Sequence, residues 1–245
     1  MKASIVIPAH NEAGCIRSTL EAVRFLHLPD EEYEVIVVDN ASTDSTADIA
    51  RGFYGVRVIH ESQKGILHAR EAGRKAAQGE IIVQLDADNI PESDWLARGV
   101  AYFDDPKVVC VSGPYYFYDG NLSFRWMSYA YQAGLLWATH QLLSPISRAC
   151  IAMGGNMFIR ASALEALGGY DTSFIFYGED THTARILKTR GKVYYVMGHW
   201  VYSSARRFKR MGVVQLVWTY SLNWFWVTAF GRAYDTNEHQ TKKVE

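Results

Sequence analysis

The chain has 245 residues, 49% hydrophobic and 21% charged, with a formal net charge of −1. That size and apolar content suit one large α/β domain with a filled core and exclude a chain disordered by composition. The near-zero balance excludes a nucleic-acid binder held by a broad basic surface, and three scattered cysteines, Cys15, Cys110 and Cys150, give neither a disulfide framework nor a metal-ligand pair, which fits a reducing, cytoplasmic compartment.

Residues 3–7, closed by Pro8, read as a buried parallel strand with no charged-then-apolar leader before it. The loop Pro8-Ala-His-Asn-Glu12 follows, then a helical pattern through Leu26 with Asn11 as its cap. Residues 34–39 form the second strand, which ends in the polar run Asp39 to Asp44 before a helix over 44–54. A third strand spans 56–59. Lys64-Gly65 then opens a helix that carries Arg70, Arg74 and Lys75 and stops at Gly79. Residues 80–85 are a fourth strand that runs out onto Asp86-Ala-Asp88. A helix over 91–103, with Pro91 in its first turn, and a fifth strand over 108–112 complete the pattern. Such alternation predicts a parallel sheet with helices on both faces and right-handed crossovers. The strand ends then collect Pro8, Glu12, Asp39, Asp86 and Asp88 on the edge where open α/β sheets bind ligands. No Gly-x-Gly-x-x-Gly follows the first strand and there is no P-loop, which argues against dinucleotide and P-loop sites.

Asp86 and Asp88, two apart in extended chain, point the same way. Two carboxylates that close repel unless a cation lies between them, and a hard divalent ion carrying phosphate oxygens fits. The bland alternative is a helix-capping Asp beside a solvated one.

Beyond residue 112 the chain becomes aromatic. A helix over 122–143 sets Trp126, Tyr129, Ala133, Leu136, Trp137 and His140 at helical spacing, as core packing or as a wall for an apolar acceptor. Gly154-Gly155-Asn156 precedes a short strand over 157–160, and the two glycines predict close backbone approach. A helix follows over 161–167. Phe176-Tyr-Gly-Glu179-Asp180 opens a helix to about residue 190, its acids suiting the macrodipole or delivering a carboxylate to a cleft. The last strand is 192–197, and 203–208 read as a basic turn. Residues 212–231 contain no charge between them and hold Trp218, Trp224 and Trp226. Their length approaches the roughly 20 residues of a membrane span, but Gln215, Asn223 and Thr228 dilute them and Arg206, Arg207, Lys209, Arg210 and Arg232 flank them. A helix against an anionic membrane surface is favoured over a span, with an ordinary core helix as the equal alternative.

Taken in order, Pro8-Ala-His-Asn-Glu12, Val38-Asp39-Asn-Ala-Ser-Thr-Asp44, Lys64-Gly65 with Ala69-Arg70, Asp86-Ala-Asp88, Gly154-Gly155-Asn156 and Gly178-Glu179-Asp180 resemble the motif set of family-2 glycosyltransferases, over residues 3 to about 208. Those are inverting enzymes with the GT-A fold. The resemblance implies a mostly parallel α/β sheet divided into a nucleotide-sugar half (1–112) and an acceptor half (113–208), with a C-terminal aromatic helix and polar tail (209–245). It implies transfer of a sugar from a nucleoside diphosphate donor, UDP by the general pattern, to a saccharide or lipid-linked acceptor. Pro8, Ala9 and Glu12 would frame the nucleoside and Asp39 would accept from the base. Asp86 would contact the nucleoside, and Asp88 would bind Mn²⁺ or Mg²⁺. Lys64 or Arg70 would meet phosphate or stay on the surface. Gly155 and Asn156 would border sugar or acceptor, and Asp180 would be the general base steered by Glu179.

Departures from the pattern leave alternatives open. His182 replaces a second acid. No Gln-x-x-Arg-Trp is present, and Arg206 and Arg207 would close over diphosphate or meet lipid headgroups. His199 is a third metal ligand or a packed histidine; Trp200 stacks on a sugar or is core. Three rivals belong to other classes. A haloacid-dehalogenase-type phosphohydrolase would carry its Asp-x-Asp near the N-terminus, a nucleotidyltransferase needs a Gly-rich first loop, and a silent sugar-nucleotide module would bind without turnover.

Overall fold

The computed structural model describes residues 1–29, 32–174 and 177–234. Phe176 and the tail 235–245 lie outside the described residues. The first strands are β1 (Ala3–Ala9), β2 (Tyr33–Asp39), β3 (Val56–His60) and β4 (Ile81–Leu85). They alternate with helices α1 (Ile16–Val23), α2 (Thr46–Arg51) and α3 (Ile66–Ala76). β1 and β4 are buried at every position, so both faces of each strand need apolar side chains, and the sequence reads as a nearly continuous apolar run in which Ser4 and Gln84 each donate a side-chain hydrogen bond. Successive residues still part to opposite faces. Ile5 and Ile7 join the core under α1 and α4 (Trp95–Ala101), and Val6 joins the core under α3.

The sheet has seven strands in the order β3-β2-β1-β4-β7-β5-β8, with β5 (Val108–Ser112), β7 (Asn156–Arg160) and β8 (Lys192–Tyr195) completing it. β7 lies between β4 and β5 and is antiparallel to both. The sheet is therefore mostly parallel, with one reversed strand where simple alternation would have paired β4 with β5. Helices α7 (Ala161–Glu165) and α8 (Glu179–Leu187) cover the α3 face through Leu164, Ala184 and Leu187.

Two short strands not foreseen in the sequence, β6 (Tyr115–Phe117) and β9 (Val201–Ser203), pair in parallel as a second sheet. The expected basic turn over 203–208 is instead the end of β9 followed by helix α9 (Arg206–Met211). The aromatic run is continuous, as α5 (Leu122–Ala130), a π-helical segment (Tyr131–Leu136) and α6 (Trp137–Leu143). Its stripe is not core: Trp126 and Trp137 are 67% and 41% exposed, and only His140 of the six is fully buried. The final helix, α10 (Val213–Phe230), starts after Gly212 and stops at Gly231, both at positive φ. No helix among the described residues is long and apolar enough to cross a membrane.

Candidate active site

The floor is built from the carboxyl ends of β1 and β2. Pro8 and Ala9 are buried there, and the Ala9 carbonyl accepts from the Asn40 N–H at 2.8 Å. The loops after β1 and β2 are laced together. Thr43 N donates to Asn11 Oδ1 (2.8 Å), Ala13 N to Asp44 Oδ2 (3.1 Å) and Glu12 N to Thr46 Oγ1 (2.8 Å). Asn11 is thus not the cap of α1: it sits at φ 54° and ties the two loops. Asp39 Oδ1 accepts from Ser42 N (3.1 Å) and Oδ2 faces His60 Nδ1 (3.0 Å). Burial works to raise its pKa, but these hydrogen bonds outweigh it and hold the carboxyl below its ordinary value.

The acidic knots meet beneath the loop before β7. Asp86 begins a turn, with Asn89 N donating to Asp86 O at 3.0 Å, so Asp86 and Asp88 are not in extended chain and take different partners. Arg70, only 3% exposed, reaches up from α3 between two acids. Its Nη2 lies 3.4 Å from Asp86 Oδ1 and its Nη1 3.3 Å from Glu179 Oε1. A Cβ on Gly154 would stand 2.7 Å from Arg70 Nη2, and one on Gly155 would collide with Asp86 Oδ2. The paired glycines are what allow this loop to close over the Arg–Asp pair. Gly155 N donates to the Tyr115 hydroxyl (2.7 Å), and Asn89 Nδ2 donates to Gly155 O (2.8 Å). Asp180 accepts from Thr181 N at 2.7 Å and from the Thr181 hydroxyl at 3.4 Å, and the Gly154 backbone N–H faces it. One loop therefore touches Asp86 on one residue and Asp180 on the next, which joins the two acidic motifs in one crevice. Burial raises the pKa of both Glu179 and Asp180, and the Asp180 charge raises Glu179 further, while Arg70 opposes the rise in each.

Asp88 turns the other way. Its Oδ2 is 3.1 Å from Arg206 Nε, and the same guanidinium grips both oxygens of Glu12, Nη1 to Oε2 at 2.6 Å. Burial and then Asp86 push the Asp88 carboxyl up to about 6, with Arg206 opposing.

Several expected site residues are elsewhere or otherwise engaged. Arg70 is not a surface or phosphate-facing cation, because its guanidinium is buried between Asp86 and Glu179. Asn156 does not border the crevice with its side chain. It is fully buried, accepts from Trp95 Nε1 (3.0 Å) and donates to His199 O (2.7 Å). His199 does not join the acids: its ring stacks on Trp95 (5.9 Å between centroids, 7° between planes) and meets the edge of Phe158. Burial drives it down to about 4, leaving a neutral core histidine. Trp200 donates to Glu92 Oε1 (3.3 Å), alongside Tyr202, outside the crevice. Lys64 is exposed at the start of α3. His182 Nε2 lies 3.4 Å from Asp171 Oδ2 and packs on Phe174. Arg207 Nη1 donates to the Tyr220 hydroxyl (3.0 Å) and has Asp86 among its charged neighbours. Tyr115, at the centre of the crevice, had no signal in the sequence beyond its apolar surroundings. Among the described residues no three His, Cys, Asp or Glu side chains gather tightly enough to hold a metal ion by themselves.

The Gly155 contact carries a direct expectation. Gly155→Ala must push the loop off Asp86, at a cost of about 1–3 kcal/mol of stability; a urea midpoint unchanged from the parent would contradict the close packing described here.

A profile described as Glycosyl transferase family 2 matches residues 4–168. The glycosyltransferase AglE of Haloferax volcanii is 33% identical over 190 residues, spanning 74% of this chain and 60% of AglE. The probable glycosyltransferase YdaM of Bacillus subtilis is 31% identical over 203 residues, spanning 74% of this chain and 45% of YdaM. The chain thus covers about half the length of these curated relatives. Of solved structures, the mannosyltransferase PcManGT from Pyrobaculum calidifontis, in complex with GDP-Man and Mn²⁺, superposes with a TM-score of 0.69 at 24% identity, covering 95% of this chain and 65% of that one. Staphylococcus aureus TarS 1–349, in complex with UDP-GlcNAc, superposes at 0.65 and 19%, covering 83% and 58%. At those identities the likeness shows the fold, which is GT-A.

Proposed function

The chain belongs to glycosyl transferase family 2, and from that premise we propose that it transfers a sugar from a nucleoside diphosphate donor, a UDP-sugar, to an acceptor hydroxyl with inversion. The observation that carries this reading is the meeting of Asp86 and Asp180 on adjacent residues of the Gly154-Gly155 loop, at the carboxyl ends of the strands. Asp39 suits a nucleobase N–H, since an ionised carboxylate with one partner on each oxygen still has lone pairs free. Asp180 is the general base. It is the acid at the mouth of α8 whose carboxylate accepts from the Thr181 N–H and hydroxyl and is not gripped by an arginine. Inverting displacement needs one base on one face of the sugar, so a single carboxylate is enough. Glu179 is held to Arg70 and orients the turn.

The donor set fits a hard divalent ion, Mn²⁺ or Mg²⁺, bound with the diphosphate. Asp88 is mostly buried, reluctant to ionise, and balanced by the Arg206 guanidinium, a cation standing where a metal ion would. With no three-ligand cluster among the described residues, Asp88 would hold the ion, with Asp86 near it, and phosphate oxygens and water would fill the remaining positions. When bound, the ion stabilises the charge developing on the leaving diphosphate. Arg206 and Arg207, in the first turn of α9, face the same carboxylates and would shield that charge. A saccharide or lipid-linked acceptor would approach from the α8 side.

A thermal-shift panel of nucleotides and sugar nucleotides, with and without Mn²⁺, tests class, base and metal together. Stabilisation by UDP-sugars only with Mn²⁺ is the expected result; binding without any sugar transfer would point to a silent module instead. Asp88→Ala should weaken Mn²⁺-dependent nucleotide binding about tenfold or more by calorimetry, and parent-like affinity would remove Asp88 from the metal site. The raised Asp88 pKa fixes the sign with pH. Proton and metal compete for the carboxylate, so metal-dependent affinity should fall below pH 6, by about tenfold per unit.

A further inference from the structure

Outside the crevice, one face of the molecule is apolar where water should be. Helix α10 buries Leu216, Asn223 and Val227. On the opposite stripe it turns Val214, Trp218 and Phe225 outward, at 84%, 69% and 56% exposure. A surface helix ordinarily carries charged and polar residues along that side, where this one exposes only Gln215 and Ser221 beside its apolar side chains, and so apolar a face is covered by something. The α5–α6 run adds Trp126, Met127 and Leu142, each more than half exposed. The two elements adjoin where the Tyr131 hydroxyl lies 3.5 Å from Ser221 Oγ, and Trp224 Nε1 donates to the Cys150 carbonyl in the loop after α6 at 3.0 Å. Exposed apolar surface of this extent marks an interaction site.

Charge says what it meets. Residues 120–150 and 205–234 contain seven Arg and Lys and no Asp or Glu, which leaves the remainder at −8 in a chain of net charge −1. Arg148, Arg210 and Arg232, exposed at the margins of the apolar surface, are among the seven. Exposed tryptophans with these cations beside them complement anionic headgroups over acyl chains, and the acid nearest in sequence among the described residues, Asp119, is already paired with Lys209 at 3.0 Å. An 18-residue helix is about 27 Å long, short of the roughly 30 Å hydrocarbon core, so it would lie in the interface and not cross.

We propose that this face docks onto the surface of an anionic lipid bilayer, with α10 and the α5–α6 run in the interfacial plane. The docked helix reaches the crevice directly. Gly178, at φ 86°, opens α8 against α10, where a Cβ would stand 2.7 Å from Val227 Cγ2. On the reading of Asp180 as the base, an acceptor carried in the membrane would meet it from the docked side. Only that last step rests on the proposed reaction; the docking does not.

The test is co-sedimentation of the full chain with vesicles of phosphatidylcholine alone and of equal parts phosphatidylcholine and phosphatidylglycerol, alongside light scattering of the free protein. The chain should bind the anionic vesicles and release from them as salt rises. A Trp126→Ser/Trp218→Ser variant, altered only at exposed positions, should bind about tenfold more weakly with its nucleotide-induced thermal shift intact. Arg210→Glu/Arg232→Glu should lose binding to the anionic vesicles. Failure of the parent chain to sediment, or equal sedimentation of parent and tryptophan variant, overturns the proposal. So does a stable dimer in solution that the tryptophan changes dissociate, which would give the face to a second copy.

Discussion

Asp180→Asn is expected to lower the rate of sugar transfer by about 10²–10⁴-fold while leaving donor affinity at the parent value. Asparagine keeps the shape of the side chain and an oxygen to accept the Thr181 N–H and hydroxyl, so the turn at the head of α8 should hold. What it loses is the ability to take a proton from the acceptor. The nucleotide contacts proposed for Asp39 and Asp88 are on other elements, so the loss should fall on kcat and not on donor Kd. Removing one of two adjacent buried acids also relieves repulsion, so the melting temperature should stay level or rise. The pH profile gives a second readout. In the parent, activity should fall as pH drops through the raised Asp180 pKa, because the base becomes protonated; that acidic limb should vanish in the residual rate of the variant. Turnover within tenfold of the parent would take the base role from Asp180. Glu179→Gln would then be the next variant to measure, although its Oε1 is held by Arg70.

The strands of the first half were legible because burial on both faces demands continuous apolar runs, and β1, β2, β4 and β5 lie within a residue or two of the runs that announced them. The place of β7 was not legible. Its burial pattern resembles that of its neighbours, and the choice to run antiparallel between β4 and β5 is made by pairing across 45–79 residues of sequence. The same distinction holds in the site. The acids of the two knots announced themselves by clustering at element ends. The sequence points Asn156 to the crevice and leaves His199 and Trp200 open between site and core; partners 61, 104 and 108 residues away in the sequence, Trp95 for the first two and Glu92 for the third, turn all three inward or aside. Arg70 could have been read better. Leu67, Arg70 and Gly73 recur at helical spacing on one face of α3, and all three are buried. A charged residue inside such a stripe is a sign of a buried partner.

Arg70→Met should cost about 3–5 kcal/mol of stability, the usual penalty for removing one side of a buried ionic cluster. Methionine fills much of the space, so the loss reports charge more than volume. Without the guanidinium, Asp86, Glu179 and Asp180 face one another under the Gly154-Gly155 loop with Arg207 as the remaining nearby cation. The sign with pH follows from the direction of the acid shifts. Glu179 and Asp180 already have folded pKa values above their ordinary 4.5 and 3.8, so the folded state binds more protons than the unfolded one and stability declines as pH rises through that window. Arg70 opposes both shifts, and its loss must raise them further. The deficit of the variant should therefore be largest above neutral pH and shrink toward pH 5, where the acids can protonate. Adding Glu179→Gln to Arg70→Met should recover part of the loss, with a coupling of about 0.5–3 kcal/mol. Urea midpoints at two pH values for parent, single and double variants decide it. A deficit that ignores pH, or one the second substitution does not reduce, would mean that Arg70 acts by packing alone. In that case the crevice would not need a buried cation to keep a carboxylate base ionised beside a second acid, and the electrostatic basis for Asp180 as the base would have to be found in Arg207.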